Sequence, residues 1–391
     1  MKKIITFNMI DCNSQRGGIY QYALSLIEDW VKYSSDKYHA KVIASDPDII
    51  KAIDPNIEVF LYETKRQNQI RLKRVMYILG NYGFMPKFLG APDYIKNISK
   101  YDLGVMICFN QRPDGYYAGY PSITAVHDSP RQWNNSAKKL QSLGYKIQFE
   151  SECYRISRQP GCVLCDSEQS SEQYSRAYRT ITPALYLPFR PLSMFSRRIN
   201  IDILNKYKIK LPFIYYPSTT HPVKNHIRLI DALKNLNSRI ALHKINLVLT
   251  GPKDRSTDEI IDYAVKAGIC MSHIGYVSEN EVCMLYSIAS ALVMPSMFDF
   301  MNIPALEALS CGCPIVLSDY NSLKKHFGNI AVYVDPLNIN SISNGISKAV
   351  FDKAYLSMIK IEGPKFIEKF HSGEKRIDIL TDAISILIDN V

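Results

Sequence analysis

The chain has 391 residues, 47% hydrophobic and 21% charged, which is too long for one core and too apolar for a disordered chain. A formal net charge of +10 suits phosphorylated substrates, an anionic surface or nucleic acid, but no helix-turn-helix, zinc-finger or RNA-recognition signature supports the last. Its 9 cysteines, an odd number spread over both halves, argue for reduced thiols, and no apolar run reaches the ~20 residues of a membrane-spanning helix.

The first strand is expected over Lys2 to Met9. Asn8, Asp11 and Asn13 end the apolar run too early for a secretory leader, so a cytoplasmic protein is expected. Gly17-Gly18 stands between that strand and an amphipathic helix from Ile19 to Val31. This is the place of a phosphate or sugar loop in a Rossmann-like domain, although a tight turn needs glycine equally. Further strands are expected at Lys41 to Ala44, Glu58 to Leu61, Leu103 to Cys108, Ile123 to Val126 and Val163 to Cys165. Strands alternating with helices make a parallel sheet.

Asp46-Pro47-Asp48 has the form of a metal-binding Asp-x-Asp, but proline in a polar turn favours a plain loop. Lys65-Arg66 and Arg71 to Arg74 precede Tyr77, Tyr82, Phe84 and Phe88, which reads either as an ordinary solvated helix or as a face for an anionic membrane. His127-Asp128 follows a strand directly, on the ligand-binding edge of such a sheet, where a histidine serves a ligand or caps the structure. Cys162 and Cys165 have redox or zinc spacing but lie in an apolar run with no second pair, so buried strand cysteines are expected. Ser170 or Ser171 is the expected cap of the next helix.

Residues 191–212 are basic and irregular and read as a linker between domains of residues 1–190 and 213–373. The second domain opens with a strand over Phe213 to Tyr216. Lys224 then stands just ahead of a helix N-terminus, which is unfavourable unless an anion is bound; the other reading is a solvent-exposed lysine. Leu247 to Pro252 is a buried strand ending in a turn at Gly251, and Ser278 with Glu281 forms a capping box. Ala289 to Met294 is a strand, Pro304 opens a helix, Gly312 caps it, and Ile315 to Leu317 is the next strand. The backbone N–H groups near Asn302 and Ile303 suit a diphosphate, and an acid beside them is unfavourable unless it accepts hydrogen bonds from hydroxyls. Asp299 and Glu307 are the acids in question. A nucleotide sugar meets both needs; the alternative is that Glu307 is a surface acid on an amphipathic helix.

Pro295 to Pro314 resembles the donor signature of the retaining family-4 glycosyltransferases, which have two Rossmann-like domains facing across a cleft (the GT-B architecture). The chain keeps Pro295, Ser296, Phe298, Pro304, Leu306-Glu307-Ala308 and Cys311-Gly312-Cys313-Pro314. It departs at Asp299, where the family has glutamate, and at Phe300-Met301-Asn302, where the family has a glycine-bearing triplet. Pro217 to His226 is similar to the loop of a branch that builds bacterial polysaccharides, with Thr219 near the place of a family arginine.

The resemblance implies an α/β GT-B fold whose last helix, residues 374–391, packs back on the first domain. It implies that Glu307 holds the donor ribose, that Asp299 contacts the transferred sugar or its phosphate and that Val277 reads the base through its backbone. His127 then lies near the donor sugar, and Lys224, Ser218, Thr219 and the amides of Asn302 and Ile303 take the diphosphate. Gly17, Gly18 and Gly251 complete the donor contacts. No cofactor and no metal is expected. The donor is a nucleotide-diphosphate sugar with its base (GDP, UDP or dTDP) left open, and the acceptor is a glycan or lipid-linked glycan at the inner face of a membrane. A non-catalytic nucleotide-sugar-binding subunit and a GT-B epimerase or phosphorylase are the alternatives.

Overall fold

A computed structural model describes residues 3–12, 17–34, 36–62, 71–98, 101–133, 135–240, 244–253, 255–298 and 302–389. The chain divides into two compact units, one formed by Met1–Arg190 with Ser372–Val391 and the other by Pro191–His371.

The first unit holds seven parallel strands: β1 (Lys3–Met9), β2 (Tyr38–Ala44), β3 (Glu58–Leu61), β4 (Val105–Cys108), β5 (Ser122–Val126), β6 (Gly161–Cys165) and β7 (Ala184–Tyr186). Their spatial order is β3-β2-β1-β4-β5-β6-β7, so the direction of winding reverses between β1 and β4. The central strands β4 and β5 are buried at every residue, as strands covered by helices on both faces must be. Cys162 and Cys165 are buried free thiols of β6. Ser167, not Ser170 or Ser171, caps the helix Glu168–Tyr178: its hydroxyl accepts from the Ser170 N–H at 3.0 Å. A helix takes its cap from the last extended residue, and Ser170 and Ser171 are already in helical geometry.

The C-terminal helix Gly373–Asp389 lies against the helix Gly18–Tyr33 of this unit. Its Arg376 is fully buried and paired with Asp29, which also receives Arg190 at 2.7 Å. Removing either cation from this buried carboxylate would strand the remaining charges.

The second unit repeats the plan with β8 (Phe213–Pro217), β9 (Asn246–Thr250), β10 (Met271–His273), β11 (Ala291–Met294), β12 (Ile315–Ser318) and β13 (Val332–Val334). The order is β10-β9-β8-β11-β12-β13, again all parallel, with the reversal between β8 and β11. Strand β10 has no counterpart in the sequence reading, because three half-buried residues at a sheet edge leave no apolar run. Residues 191–212, read as a linker, belong to the second unit. Lys206 and Tyr207 there both bond Glu281, at 2.6 and 2.8 Å, holding its carboxyl down at about 2.

Candidate functional site

In a doubly wound sheet a ligand sits outside the carboxyl ends of the strands where the winding reverses, because the flanking loops part there. In the second unit that point is the pair β8 and β11. The loop after β8 is Ser218 to Asn225 and the loop after β11 begins at Pro295, so the topology brings together the two segments singled out in the sequence.

Hydrogen bonds hold these loops together. The Met297 N–H donates to the Val223 carbonyl at 2.8 Å, and Asn225 Nδ2 donates to the carbonyls of Pro295 and Pro336 at 2.9 and 2.7 Å. The Tyr216 hydroxyl reaches both the Lys224 carbonyl and Ser296 Oγ at 3.0 Å. Lys224 therefore rides on a braced backbone, half-buried, with Asn225 in the left-handed conformation (φ 63°) turning the chain into the helix His226–Arg239. Ser218 Oγ is 3.3 Å from His226 Nε2, and Thr219 is exposed at the tip. Gly251, at φ 125°, closes the loop after β9: a Cβ there would lie 3.3 Å from the Ser218 carbonyl oxygen. Val277 is buried beside the turn in which the Gly251 N–H bonds the Gly275 carbonyl at 2.9 Å.

Beyond β11 the helix Ile303–Ser310 begins, with Asn302 as its N-cap residue and Pro304 in its first turn. Asn302 is 2% exposed, yet neither polar atom of its amide has a hydrogen-bond partner among the described residues. A buried orphan amide costs about 1–3 kcal/mol, and here it stands at a helix N-terminus, where free N–H groups also face outward. Glu307 is not a surface acid. It is 6% exposed and receives the Tyr286 hydroxyl at 3.0 Å. Burial pushes its carboxyl up to about 8, while the Tyr286 hydrogen bond works the other way. The acid thus sits partly protonated at neutral pH, able to accept further hydrogen bonds once ionised. Tyr286 is a residue that sequence reasoning missed, since its helix shows only an apolar face. Asp299 lies outside the described residues.

In the first unit His127 extends β5 and Asp166 extends β6, so adjacent parallel strands deliver the two side chains to one edge. The His127 Nδ1 stands 3.0 and 3.1 Å from the two Asp166 oxygens, and its Nε2 is 3.4 Å from the Phe109 carbonyl. Both ring nitrogens meet acceptors, an arrangement that suits the imidazolium. Burial disfavours that charge, but the Asp166 carboxylate outweighs it and raises the histidine above its ordinary value. Asp166 was missed as well; only knowledge that β5 and β6 are neighbours pairs it with His127. Asp128 accepts from Trp133 Nε1 at 2.8 Å and points to a structural task.

Gly17 has φ 79° and precedes the helix Gly18–Tyr33, and a Cβ there meets no atom of the described residues within 4 Å. The Asp46 carboxylate accepts from the Asp48 N–H at 3.0 Å and Asp48 pairs with Lys51 at 3.1 Å, which makes this segment a self-capped turn.

Residues 199–366 match the family described as Glycosyl transferases group 1. The chain is 27% identical over 167 residues to O-antigen chain mannosyltransferase B of Escherichia coli, a stretch covering 42% of this chain and 43% of that protein. It is also 29% identical over 269 residues to an uncharacterized glycosyltransferase of Methanocaldococcus jannaschii, covering 65% of this chain and 66% of that one. The matched stretch thus spans less than half of the Escherichia coli relative. Among solved structures, the sucrose-phosphate synthase of Thermosynechococcus elongatus superposes with a TM-score of 0.73 at 15% identity over 100% of both chains. The Anabaena protein HepE, solved with UDP and glucose, superposes with a TM-score of 0.70 at 13% identity over 97% of this chain and 99% of that one. The fold is that of the GT-B glycosyltransferases, with two parallel-sheet Rossmann-like domains.

Proposed function

We propose that the protein is a retaining glycosyltransferase, of the family-4 type, that moves a hexose from a nucleotide-diphosphate sugar to a glycan or lipid-linked glycan without a metal ion. The observation carrying this reading is the orphan amide of Asn302 and the buried Glu307 on one short helix, which follows a strand whose loop is bonded to the Lys224 loop through the Met297 N–H and the Val223 carbonyl. A diphosphate satisfies the helix amides and Lys224, and a ribose diol donates to Glu307. Stabilising the departing diphosphate is the main electrostatic task, assigned here to Lys224, Ser218, Thr219 and the amides of Asn302 and Ile303. Val277 and Gly251 line the base side, and Asp299 meets the transferred sugar.

His127, whose charged form Asp166 favours, is assigned to charge stabilisation rather than to proton abstraction, because both ring nitrogens are held by acceptors. Gly17 and Gly18 are assigned to a substrate group at the same edge. The relatives named as O-antigen mannosyltransferases make mannose the first donor sugar to try. The test is calorimetric titration with GDP, UDP and dTDP, followed by transfer from the matching nucleotide sugar with and without chelator. Tight binding of one nucleotide with chelator-independent transfer is the expected result. Binding with no transfer to any acceptor would favour a non-catalytic sugar-nucleotide subunit, a reading supported by Phe300-Met301-Asn302 standing where the family carries glycine. No binding of any nucleotide would end both.

A further inference from the structure

The helix Arg71–Asn81 of the first unit is built inside out on one side. Tyr77, Gly80 and Asn81 face the core, with Asn81 Nδ2 bonded to Ser151 Oγ at 3.0 Å. Leu72, Val75 and Leu79, spaced as one helical stripe, are exposed instead, Leu72 by 65%. A surface helix of a globular protein places its apolar stripe inward, so a second, outward stripe marks a contact surface.

The turn that follows presents more of the same. Gly83 takes φ 82°, its N–H bonds the Gly80 carbonyl at 3.0 Å, and the Phe84 N–H bonds the Leu79 carbonyl at 2.9 Å. That pair of bonds closes the helix as a Schellman cap, so Phe84 is held out by a rigid turn with 77% of its surface exposed. The short helix Lys87–Gly90 then packs back through bare backbone: a Cβ on Gly80 would come within 3.2 Å of the Gly90 Cα. This close approach leaves Phe88 pointing outward, 68% exposed. The neighbouring helix Leu143–Ile156 adds Leu143, 71% exposed, at its start, and the Arg74 guanidinium lies against Gly144 beside it.

The charge around these tips is predominantly basic. Lys73 is paired with Asp93 at 2.7 Å and Arg131 with Glu150 at 2.6 Å, while Arg74, Lys87, Lys138, Lys139 and Lys146 add five further cations. We propose that this face docks on an anionic lipid bilayer, with Phe84, Phe88, Leu72 and Leu143 entering the headgroup boundary and the lysines and arginines meeting the lipid phosphates. Apolar tips and a net basic rim are the two signals that together give stable surface attachment. A second copy of this chain fits poorly, because an isologous contact would set like charge against like. No described helix is long and apolar enough to cross a membrane, and this mode of attachment needs none.

The test is co-sedimentation of the full chain with vesicles of phosphatidylglycerol and phosphatidylcholine in equal parts, against vesicles of phosphatidylcholine alone. Binding to the first and not to the second is expected, weakening as salt rises. Lys87→Gln and Lys146→Gln should each weaken it about fivefold. Phe84→Ser with Phe88→Ser should weaken it by about tenfold. Phe84, Lys87 and Phe88 are exposed and Lys146 is half-buried, so melting temperature and nucleotide binding should stay as in the parent protein. A Leu143→Trp variant gives a second reading, its emission moving to shorter wavelength on anionic vesicles only. Three results overturn the proposal: no binding to the anionic vesicles, binding that ignores the phenylalanine variants, or self-association that those variants abolish. Vesicle and nucleotide binding are measured separately, so failure here leaves the transfer reading standing, and the reverse holds too.

Discussion

The two units share a strand order and differ in how they treat a buried acid. In the first, Asp29 faces Arg190 and Arg376, and Asp166 faces His127. In the second, Glu307 has one tyrosine hydroxyl and stays partly protonated, and Asn302 beside it on the same helix start has no partner among the described residues. Each of these first-unit acids faces a cationic or ionisable partner of the same unit. The second unit keeps unmet hydrogen-bonding capacity at its switch point, which is what a site awaiting a ligand shows. The same topology thus supports either arrangement, because the sheet dictates where loops meet and the loop side chains dictate what they hold.

The comparison can be broken most sharply by the residues proposed to act at each edge. His127→Ala should lower turnover by about 100- to 10,000-fold, the range of a lost charge-stabilising or proton-transfer group, with nucleotide affinity within twofold of the parent. Glu307→Ala should do the opposite, weakening nucleoside diphosphate binding about 30-fold or more by calorimetry. Should His127→Ala damage nucleotide affinity as much as turnover, the two edges would not have separate tasks.

A finer distinction comes from pH. Glu307 is raised from 4.5 to about 8 in the folded protein, so between those values the folded state holds a proton that the unfolded chain has released. Stability from this site is therefore fully present below pH 4.5 and falls as pH rises toward 8. Ribose binding favours the carboxylate, so nucleotide affinity should rise from pH 6 to pH 8, by at most about tenfold per unit. Glu307→Gln should flatten that rise and also melt at a higher temperature than the parent at pH 8, stability gained where function is lost. A parent affinity independent of pH would remove the ribose assignment. In the first unit, Asp166→Asn should lower the pH at which His127 loses its proton, moving the alkaline limb of the turnover profile downward.

The smallest effect concerns backbone geometry. Gly251→Ala places a Cβ at φ 125° and 3.3 Å from the Ser218 carbonyl oxygen, and should cost about 1–3 kcal/mol in denaturant melts. Gly17→Ala meets no described residue within 4 Å but has a positive φ, and should cost less, on the order of 1 kcal/mol.

Much of this architecture was legible in the chain. Short apolar runs such as Leu247 to Leu249 and Ile315 to Leu317 are buried on both faces, so their strands announce themselves without alternation, whereas Met271–His273 at the edge does not. Ser278 with Glu281 capped its helix as its spacing required, because a capping box is satisfied within four residues. The cap at Ser167 was misassigned among four nearby polar residues, since only backbone angles decide which one stands outside the helix.

By itself the sequence determined the alternation of strand and helix, the placement of Gly17 and Lys224 at element boundaries and of Glu307 inside a short helix, and the basic, aromatic stretch after residue 70. These depend on neighbours a few residues apart. Only the tertiary structure decided that Asp166 stands against His127, that Tyr286 reaches Glu307, that Asn302 is buried without a partner and that Phe84 and Phe88 face outward. Each of those rests on which strand lies beside which or on which side of a helix is covered, and residues distant in the chain have no local signal to report it.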